Sequence, residues 1–165
     1  MKKFEGLSPL YKALKKGLSE LDGVDAVEWF HGYENIVIKE QGIFIEFPEG
    51  IDFVPISKSL RRAPVKLRLH TYTKVVQDVD GYIAQPIAEA HDAYAVAIKN
   101  YLDNKVLVEA DGDFFVGDFD DPDFFTQLPN PETLTKHLHF SGWKHFHSYQ
   151  GMMITWVDFT TFMDA

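Results

Sequence analysis

Four histidines near the carboxyl-terminal end have a spacing that could bind a metal. His137 and His139 are two residues apart, and His145 and His147 repeat that spacing. Side chains two residues apart lie on the same face of a strand. If two such strands paired across a turn at Gly142, the four imidazoles could converge on zinc or nickel. The competing interpretation is a polar, solvent-facing strand, which we favour because no carboxylate stands at a fixed spacing to complete a site. We therefore expect no metal or other cofactor and keep these histidines as weak candidates.

The segment 111–131 combines carboxylates with aromatic rings. Its residues that could do chemistry or make contacts are Asp111, Asp113, Asp118, Asp120, Asp121, Asp123, Phe114, Phe115, Phe119, Phe124 and Phe125. Carboxylate oxygens suit calcium, but the spacing of an EF-hand loop is absent. Because a purely solvated loop rarely carries so many rings, we expect this segment to dock on a neighbour. The predicted interface residues are Phe114, Phe115, Phe124 and Phe125; folding back onto the chain's own core is the alternative.

A basic cluster interrupts a chain whose formal net charge is −9. It comprises Lys58, Arg61, Arg62, Lys66 and Arg68. Charge runs of this kind are usually solvated, and contact with an acidic partner protein is the alternative, for which Lys58, Arg61 and Arg62 are the candidates. The negative net charge disfavours general nucleic-acid binding, which requires phosphate neutralisation.

Other catalytic patterns are weak or missing. There are no cysteines, which excludes disulfides, thiolate metal sites and a cysteine nucleophile. The carboxylates Glu46, Glu49 and Asp52 lie close in sequence, but nothing marks them as converging on a substrate. Ser141-Gly142 lacks the preceding glycine of a nucleophile elbow. We therefore expect a protein that is not an enzyme. No apolar stretch approaches 18 residues, so we expect no membrane-spanning segment.

Periodicity predicts the elements of a single α+β domain, residues 1–165. Leucines at spacings of three and four predict a helix over 8–21 that ends before Gly23, and a second apolar stripe predicts a helix over 82–102. That second helix is capped by Asp80, or begins nearer Gln85 if Pro86 lies in its first turn. Strict alternation predicts strands over 42–47 and 65–72 that pair antiparallel. Further strands are predicted over 26–31, 36–40, 106–109, 134–140, 144–149 and 152–162, with turns at 140–143 and 149–151. The expected fold is an antiparallel sheet with two helices packed on one side.

This order of elements resembles the tail terminator and tail-completion proteins of long-tailed bacteriophages and prophages. The matching parts are a leading helix over 9–21, a hairpin over 42–71, a long helix over 85–102 and closing strands over 134–162. The resemblance covers most of the chain and rests on pattern, without a diagnostic motif. The segment 111–131 is longer than a minimal subunit of that group needs.

The resemblance implies a structural function. Such proteins form a ring, typically a hexamer, that caps the tail tube and offers a surface to the head connector. The resemblance implies that the chain associates with copies of itself, with a tail-tube protein and with a head connector protein. It also implies that the protein is assembled in the cytoplasm of the bacterial host and then lies in the virion tail. The negative charge suits a channel through which DNA slides without sticking. Another head–tail joining or injection-machine protein is the alternative, and a metal-dependent enzyme using the four histidines is a further one.

Overall fold

The computed structural model describes residues 1–33, 39–75, 83–148 and 151–165, and confirms the α+β class. The helices are α1 (Ser8–Ser19), α2 (Gln85–Leu102) and α3 (Pro122–Thr126). The strands are β1 (Ala26–Trp29), β2 (Gln41–Glu46), β3 (Val54–Pro55), β4 (Arg61–Lys74), β5 (Val106–Ala110), β6 (Asp113–Gly117), β7 (Pro131–Thr133), β8 (His139–Ser148) and β9 (Met152–Asp164). None of the helices in these ranges is long and apolar enough to cross a membrane.

The main sheet has the strand order β1-β2-β4-β9-β8, with β3 pairing against β4. The predicted pairing of β2 with β4 is confirmed, in an antiparallel register that sets Ile45 opposite Leu69. Among the named strands in the described ranges, β1 and β2 form the one parallel pair, and the other neighbours in the sheet are antiparallel. Alternation fixes which face a side chain occupies but not the direction of the neighbouring strand, so the sequence could not reveal this parallel pair.

Both long helices bury their apolar residues on one face of the main sheet, as predicted. Leu10, Leu14 and Leu18 of α1 share a core with Tyr94, Ala95, Ile98 and Leu102 of α2 and with Ile43, Ile45, Leu67, Leu69, Val157 and Phe159 of the strands. The strand residues in this core alternate along β2, β4 and β9, so they lie on a single face. Helix α1 ends at Ser19, two residues earlier than predicted.

The segment 111–131 is more regular than its composition suggests. Residues Asp111 and Gly112 both have positive φ, at 47° and 83°, and join β5 to β6 as a tight hairpin. An Asp-Gly pair between two strands is a strong hairpin signal, which the carboxylate-rich context obscured. Strand β7 then pairs with the other side of β5 to complete a three-stranded sheet, against which α1 packs.

The predicted turn at 140–143 is wrong. Strand β8 runs without interruption from His139 to Ser148 along β9, with a bulge between Phe140 and Gly142. A glycine inside a strand pattern marks either a turn or a bulge, and here it is a bulge. The predicted strand over 134–140 is also wrong, because β7 ends at Thr133 and the chain reaches β8 through a loop. The last strand is confirmed and extends to Asp164.

Several predictions from the sequence fall outside the described residues. They are the cap at Asp80, the start of the second helix at residue 82, most of the strand at 36–40 and most of the turn at 149–151. The described part of α2 begins at Gln85, with Pro86 in its first turn.

A second buried cluster covers the face of the sheet that points away from the helices. It consists of Phe44, Tyr72, Met152 and Ile154. Gly42 lies opposite Tyr72 in the β2–β4 pair, and the tyrosine ring lies across the space that a side chain at Gly42 would fill. Tyr72 then stacks on Phe44 with ring centroids 4.8 Å apart.

Replacing Gly42 by alanine should therefore destabilise the protein. The new Cβ would come within 2.6 Å of ring carbon Cε1 of Tyr72, and this buried ring cannot move into solvent. We expect a loss of about 1–3 kcal/mol in the free energy of unfolding, measured by urea denaturation. Gly50→Ala is the matched control, because nothing lies within 4 Å of its added Cβ. Equal stability of the two variants would contradict the proposed steric clash.

Candidate functional site

The four carboxyl-terminal histidines do not converge. Because β8 is one continuous strand, His139 and His145 are separated along it by on the order of 15–20 Å. His137 precedes the strand and lies against Phe119, with ring centroids 5.1 Å apart. The hypothesis of a site built from both pairs across Gly142 is therefore wrong.

One of the two pairs does meet another histidine. The ring of His145 lies 5.6 Å from that of His91 on α2 and 6.2 Å from that of His147. His91 is fully buried, and both its ring nitrogens are occupied: Nδ1 hydrogen-bonds with the Thr73 hydroxyl at 2.7 Å, and Nε2 with the Thr155 hydroxyl at 3.0 Å. This imidazole therefore serves as a polar link between α2 and the sheet.

The histidine cluster and the acidic segment lack the geometry of a metal centre. Within the described ranges, no group of three or more histidine, aspartate or glutamate side chains is arranged to hold an ion. Asp118 and Asp121 instead accept hydrogen bonds from the backbone N–H groups of Asp120 and Asp123, at 2.9 and 3.0 Å. The absence of a cofactor stays a prediction.

Burial keeps His91 neutral. Desolvation lowers its pKa to about 4, and the neighbouring His145 adds to the effect. The pKa of His145 is also lowered, by burial and then by His147. The sequence did hold a signal for His91, since it stands four residues after Ile87 and three before Tyr94, on the stripe that predicted the helix.

A second buried histidine lies on the opposite face of the sheet. His70 is 1% exposed and hydrogen-bonds through Nδ1 with the Tyr33 hydroxyl and through Nε2 with the Glu46 carboxylate. The indole N–H of Trp156 donates to the Tyr33 oxygen at 3.0 Å. The Tyr33 proton is therefore directed at Nδ1 of His70, and the proton on Nε2 at Glu46, which fixes the neutral tautomer.

This tyrosine–imidazole–carboxylate chain has the order of an activated nucleophile, but its electrostatics are those of a structural network. Burial lowers the pKa of His70 to about 4 and raises the pKa of Tyr33 to about 12. An activated hydroxyl would need the opposite shift. Phe30 also stacks on His70 with ring centroids 3.9 Å apart. We interpret the network as the anchor of residues 30–33 on the sheet.

Charged side chains extend the same face toward β9. Arg68 donates two hydrogen bonds to Asp158, at 3.0 and 3.1 Å, and its guanidinium lies 4.0 Å from the centroid of the Trp156 ring. The ion pair raises the pKa of Arg68. Lys66 approaches Asp158 at 3.6 Å. Two members of the basic cluster therefore have carboxylate partners within the chain.

The remaining basic residues lie at the hairpin formed by β3 and the start of β4. Arg62 is bound by Asp164, with contacts of 2.7 and 3.2 Å, and this hydrogen bond lowers the pKa of Asp164. Lys58 and Arg61 are exposed. No carboxylate of the described residues forms a salt bridge with either of them. Their role as interface residues stays a prediction, for which the structure provides the exposure.

The predicted aromatic interface residues are partly buried. Phe114 and Phe115 lie on β6, and Phe124 and Phe125 on α3. Phe114 packs against the main core, and Lys16 lies 3.8 Å from the centroid of the Phe115 ring. The described contacts of these rings support the alternative of folding back on the chain. Phe119 differs, because it is 50% exposed and stacks on Phe125 at 4.8 Å.

The main sheet has open edges. Strand β8 is the outermost strand on one side and β1 on the other, with no further strand outside either of them among the described residues. The exposed large apolar side chains at these edges are Trp29 on β1 and Phe140 and Trp143 on β8. An open edge presents unpaired backbone N–H and C=O groups, to which another chain can add a strand. The sequence analysis missed this feature, because it depends on strand order.

Comparisons with known proteins add no family assignment: the sequence matches no protein-family model and no curated protein.

Replacing His70 by glutamine should make the stability less dependent on pH. The pKa of His70 is about 4 in the folded chain, against an ordinary value of 6.5. Between those values the unfolded chain binds a proton that the folded chain does not. The wild type therefore loses stability as the pH falls from 6.5 to about 4, and His70→Gln should lose about 3 kcal/mol less. Urea unfolding at about pH 7, 5.5 and 4 measures the difference.

His91→Gln should flatten the pH dependence in the same way, because His91 is also buried with a pKa of about 4. His139→Gln is the exposed control and should follow the wild-type curve. Parallel curves for His70→Gln and the wild type would mean that burial does not hold His70 neutral.

Proposed function

We propose that this chain is a structural subunit of a phage or prophage tail, a tail terminator that forms a ring, typically a hexamer, on the end of the tail tube. The ring stops tube growth and offers a surface to the head connector. The protein then acts in the virion tail, after assembly in the cytoplasm of the bacterial host. Its partners are copies of itself, the tail-tube protein and the head connector protein, and it is not an enzyme.

The observation that carries this proposal is the pair of open edges on the main sheet. Because β1 and β8 lie at opposite ends of the strand order, β8 of one copy can pair with β1 of the next. A contact between two different surfaces is heterologous, and it generates a closed ring when the rotation between copies closes. The same ring would shield Phe140, Trp143 and Trp29 from water.

The open edge of β8 is long enough to pair with a strand of another copy. It spans ten residues, and Trp143 at its centre is 39% exposed. Natural proteins usually block such an edge with charges, bulges or a covering element. Here one bulge lies at Phe140/Gly142, and Asp103 accepts a hydrogen bond from the Phe140 N–H at 2.9 Å. Among the described residues, the bulge and the Asp103 contact both lie in the first residues of β8, which supports pairing along the rest.

The buried polar groups support a binding or structural protein over an enzyme. His70 and His91 have partners on both ring nitrogens, and Tyr33 is held by both Trp156 and His70. A catalytic acid or base instead needs a free atom within reach of a substrate. Support for the proposed function therefore comes from the surface of the chain, and above all from the open sheet edges.

Placing a charge on the open edge should weaken ring formation. In Trp143→Lys a lysine replaces an apolar ring on the β8 edge, and lysine on an edge strand opposes pairing. We expect at least about a tenfold weaker self-association, measured by native mass spectrometry over a concentration series after dialysis against a chelator. A second assay adds each protein to polymerising tail-tube protein from the same genome and measures tube length by electron microscopy.

Val96→Lys is the control for adding a lysine at an exposed apolar position, because Val96 is 37% exposed and lies on α2, outside both edge strands. It should assemble and limit tube length as the wild type does. A wild-type protein that stays monomeric and leaves tube length unchanged would refute the proposed function. Retention of one metal per chain after dialysis would instead reopen the metal-dependent enzyme.

A further inference from the structure

The hairpin of β3 and β4 forms a protruding apolar and basic surface. Its tip, residues 54–61, closes with hydrogen bonds from the Ile56 and Ser57 N–H groups to the Leu60 carbonyl, at 2.8 and 3.1 Å. Val54 is 55% exposed and Ile56 is 57% exposed. These are the two most exposed of the large apolar side chains in the described chain. We call the surface formed by residues 54–61 the basic hairpin.

Three exposed cations lie on or beside the same hairpin. Lys58 and Arg61 are exposed on the hairpin, and Lys3 is exposed beside it, with its ammonium 3.3 Å from the Ser59 carbonyl oxygen. Arg62 is excluded from this set because Asp164 binds it. The basic hairpin therefore has local positive charge in a chain whose net charge is −9.

A surface of opposite charge lies around α3. Asp120, Asp121 and Asp123 are exposed there, next to the half-exposed ring of Phe119 stacked on Phe125. Asp118 is set apart from them, because Lys105 approaches it at 3.6 Å. We call residues 119–125 the acidic helix surface. It combines exposed carboxylates with an exposed ring, whereas the basic hairpin combines exposed cations with aliphatic side chains.

We propose that the basic hairpin of one copy docks on the acidic helix surface of a neighbouring copy. Val54 and Ile56 then pack against Phe119, and Lys58 faces Asp120 and Asp123. Arg61 pairs with Pro55, on the other face of the hairpin from Val54, and adds positive charge beside the contact. The inference rests on the proposed function, since it requires self-association, and it assigns to the ring a second contact beyond the sheet edges. The occupant is a second copy because each surface supplies the charge and the apolar side chains that the other lacks.

The two surfaces belong to different elements, so the contact is heterologous. Each copy then offers its basic hairpin to one neighbour and its acidic helix surface to the other. Opposed charges across such an interface fix the register of the partners and accelerate their association, and rim charges respond to salt. An isologous dimer through either surface alone would bring like charges together, which disfavours it.

A charge-swap series tests the proposal in the full-length chain. The hairpin variant combines Lys58→Glu with Arg61→Glu, the helix variant combines Asp120→Lys with Asp123→Lys, and the swapped chain contains all four changes. Lys15→Glu with Lys74→Glu is the control, because it makes the same charge change at exposed positions outside both surfaces. Circular dichroism verifies folding, and sedimentation velocity at low and high salt measures self-association.

We expect the hairpin variant and the helix variant each to associate at least about tenfold more weakly than the wild type, and the swapped chain to recover most of that loss. The control should behave as the wild type. Phe119→Ala should weaken association without changing its salt dependence, because it removes an apolar contact.

The outcomes separate this inference from the proposed function. If the wild type forms a ring and neither charge variant weakens it, the docking is refuted while the ring stands. If both variants weaken it but the swapped chain does not recover, the two surfaces meet different partners and the docking is again refuted. A wild type that never self-associates, alone or on the tail tube, refutes both.

Discussion

The antiparallel pairing of β4 with β9 is the interaction on which the rest of the structure depends. The two strands are in register from Arg62 opposite Asp164 to Lys74 opposite Met152. This long ladder places β2 and β8 on its two sides and brings the ends of the chain together, with Phe4 N–H bonded to the Asp164 carbonyl at 2.7 Å. Because side chains alternate along both strands, one register determines the contents of both faces of the sheet.

The two faces contain different kinds of stabilisation. On the helix side, apolar residues of β4 and β9 form the main core, and His91 links α2 to Thr73 and Thr155 where that core ends. On the other side, His70 and Trp156 are opposite one another in the ladder and are joined through Tyr33. Burying each imidazole costs little free energy because both of its ring nitrogens are hydrogen-bonded. Burial then keeps each imidazole neutral. The hydrogen bonds of His91 with the sheet and of His70 with Tyr33 therefore form only when α2 and residues 30–33 pack on the two faces of the sheet.

Sequence patterns predicted the elements that strict periodicity determines, and failed where one residue type allows two geometries. The alternation in 42–47 and 65–72 predicted β2 against β4, and the spacing of Tyr94 and Ile98 predicted α2. Gly142 fits a turn or a bulge equally well, so the meeting of four histidines could not be tested from spacing. The network around His70 joins residues from four distant parts of the chain, which no local pattern records. Strand order, and with it the open edges, likewise depends on tertiary pairing.

The proposed assembly function is supported by the distribution of polar groups in the chain. Its buried histidines and the Arg68–Asp158 pair have hydrogen-bond partners inside the chain. Among the described residues, other polar groups face solvent: backbone groups along the β8 edge, cations of the basic hairpin and carboxylates around α3. Exposed apolar side chains accompany each of them, at Trp143, Ile56 and Phe119. Exposed apolar side chains rimmed by polar groups are typical of surfaces that bind another protein. A ring in which each copy contacts two neighbours would bury these side chains in every copy.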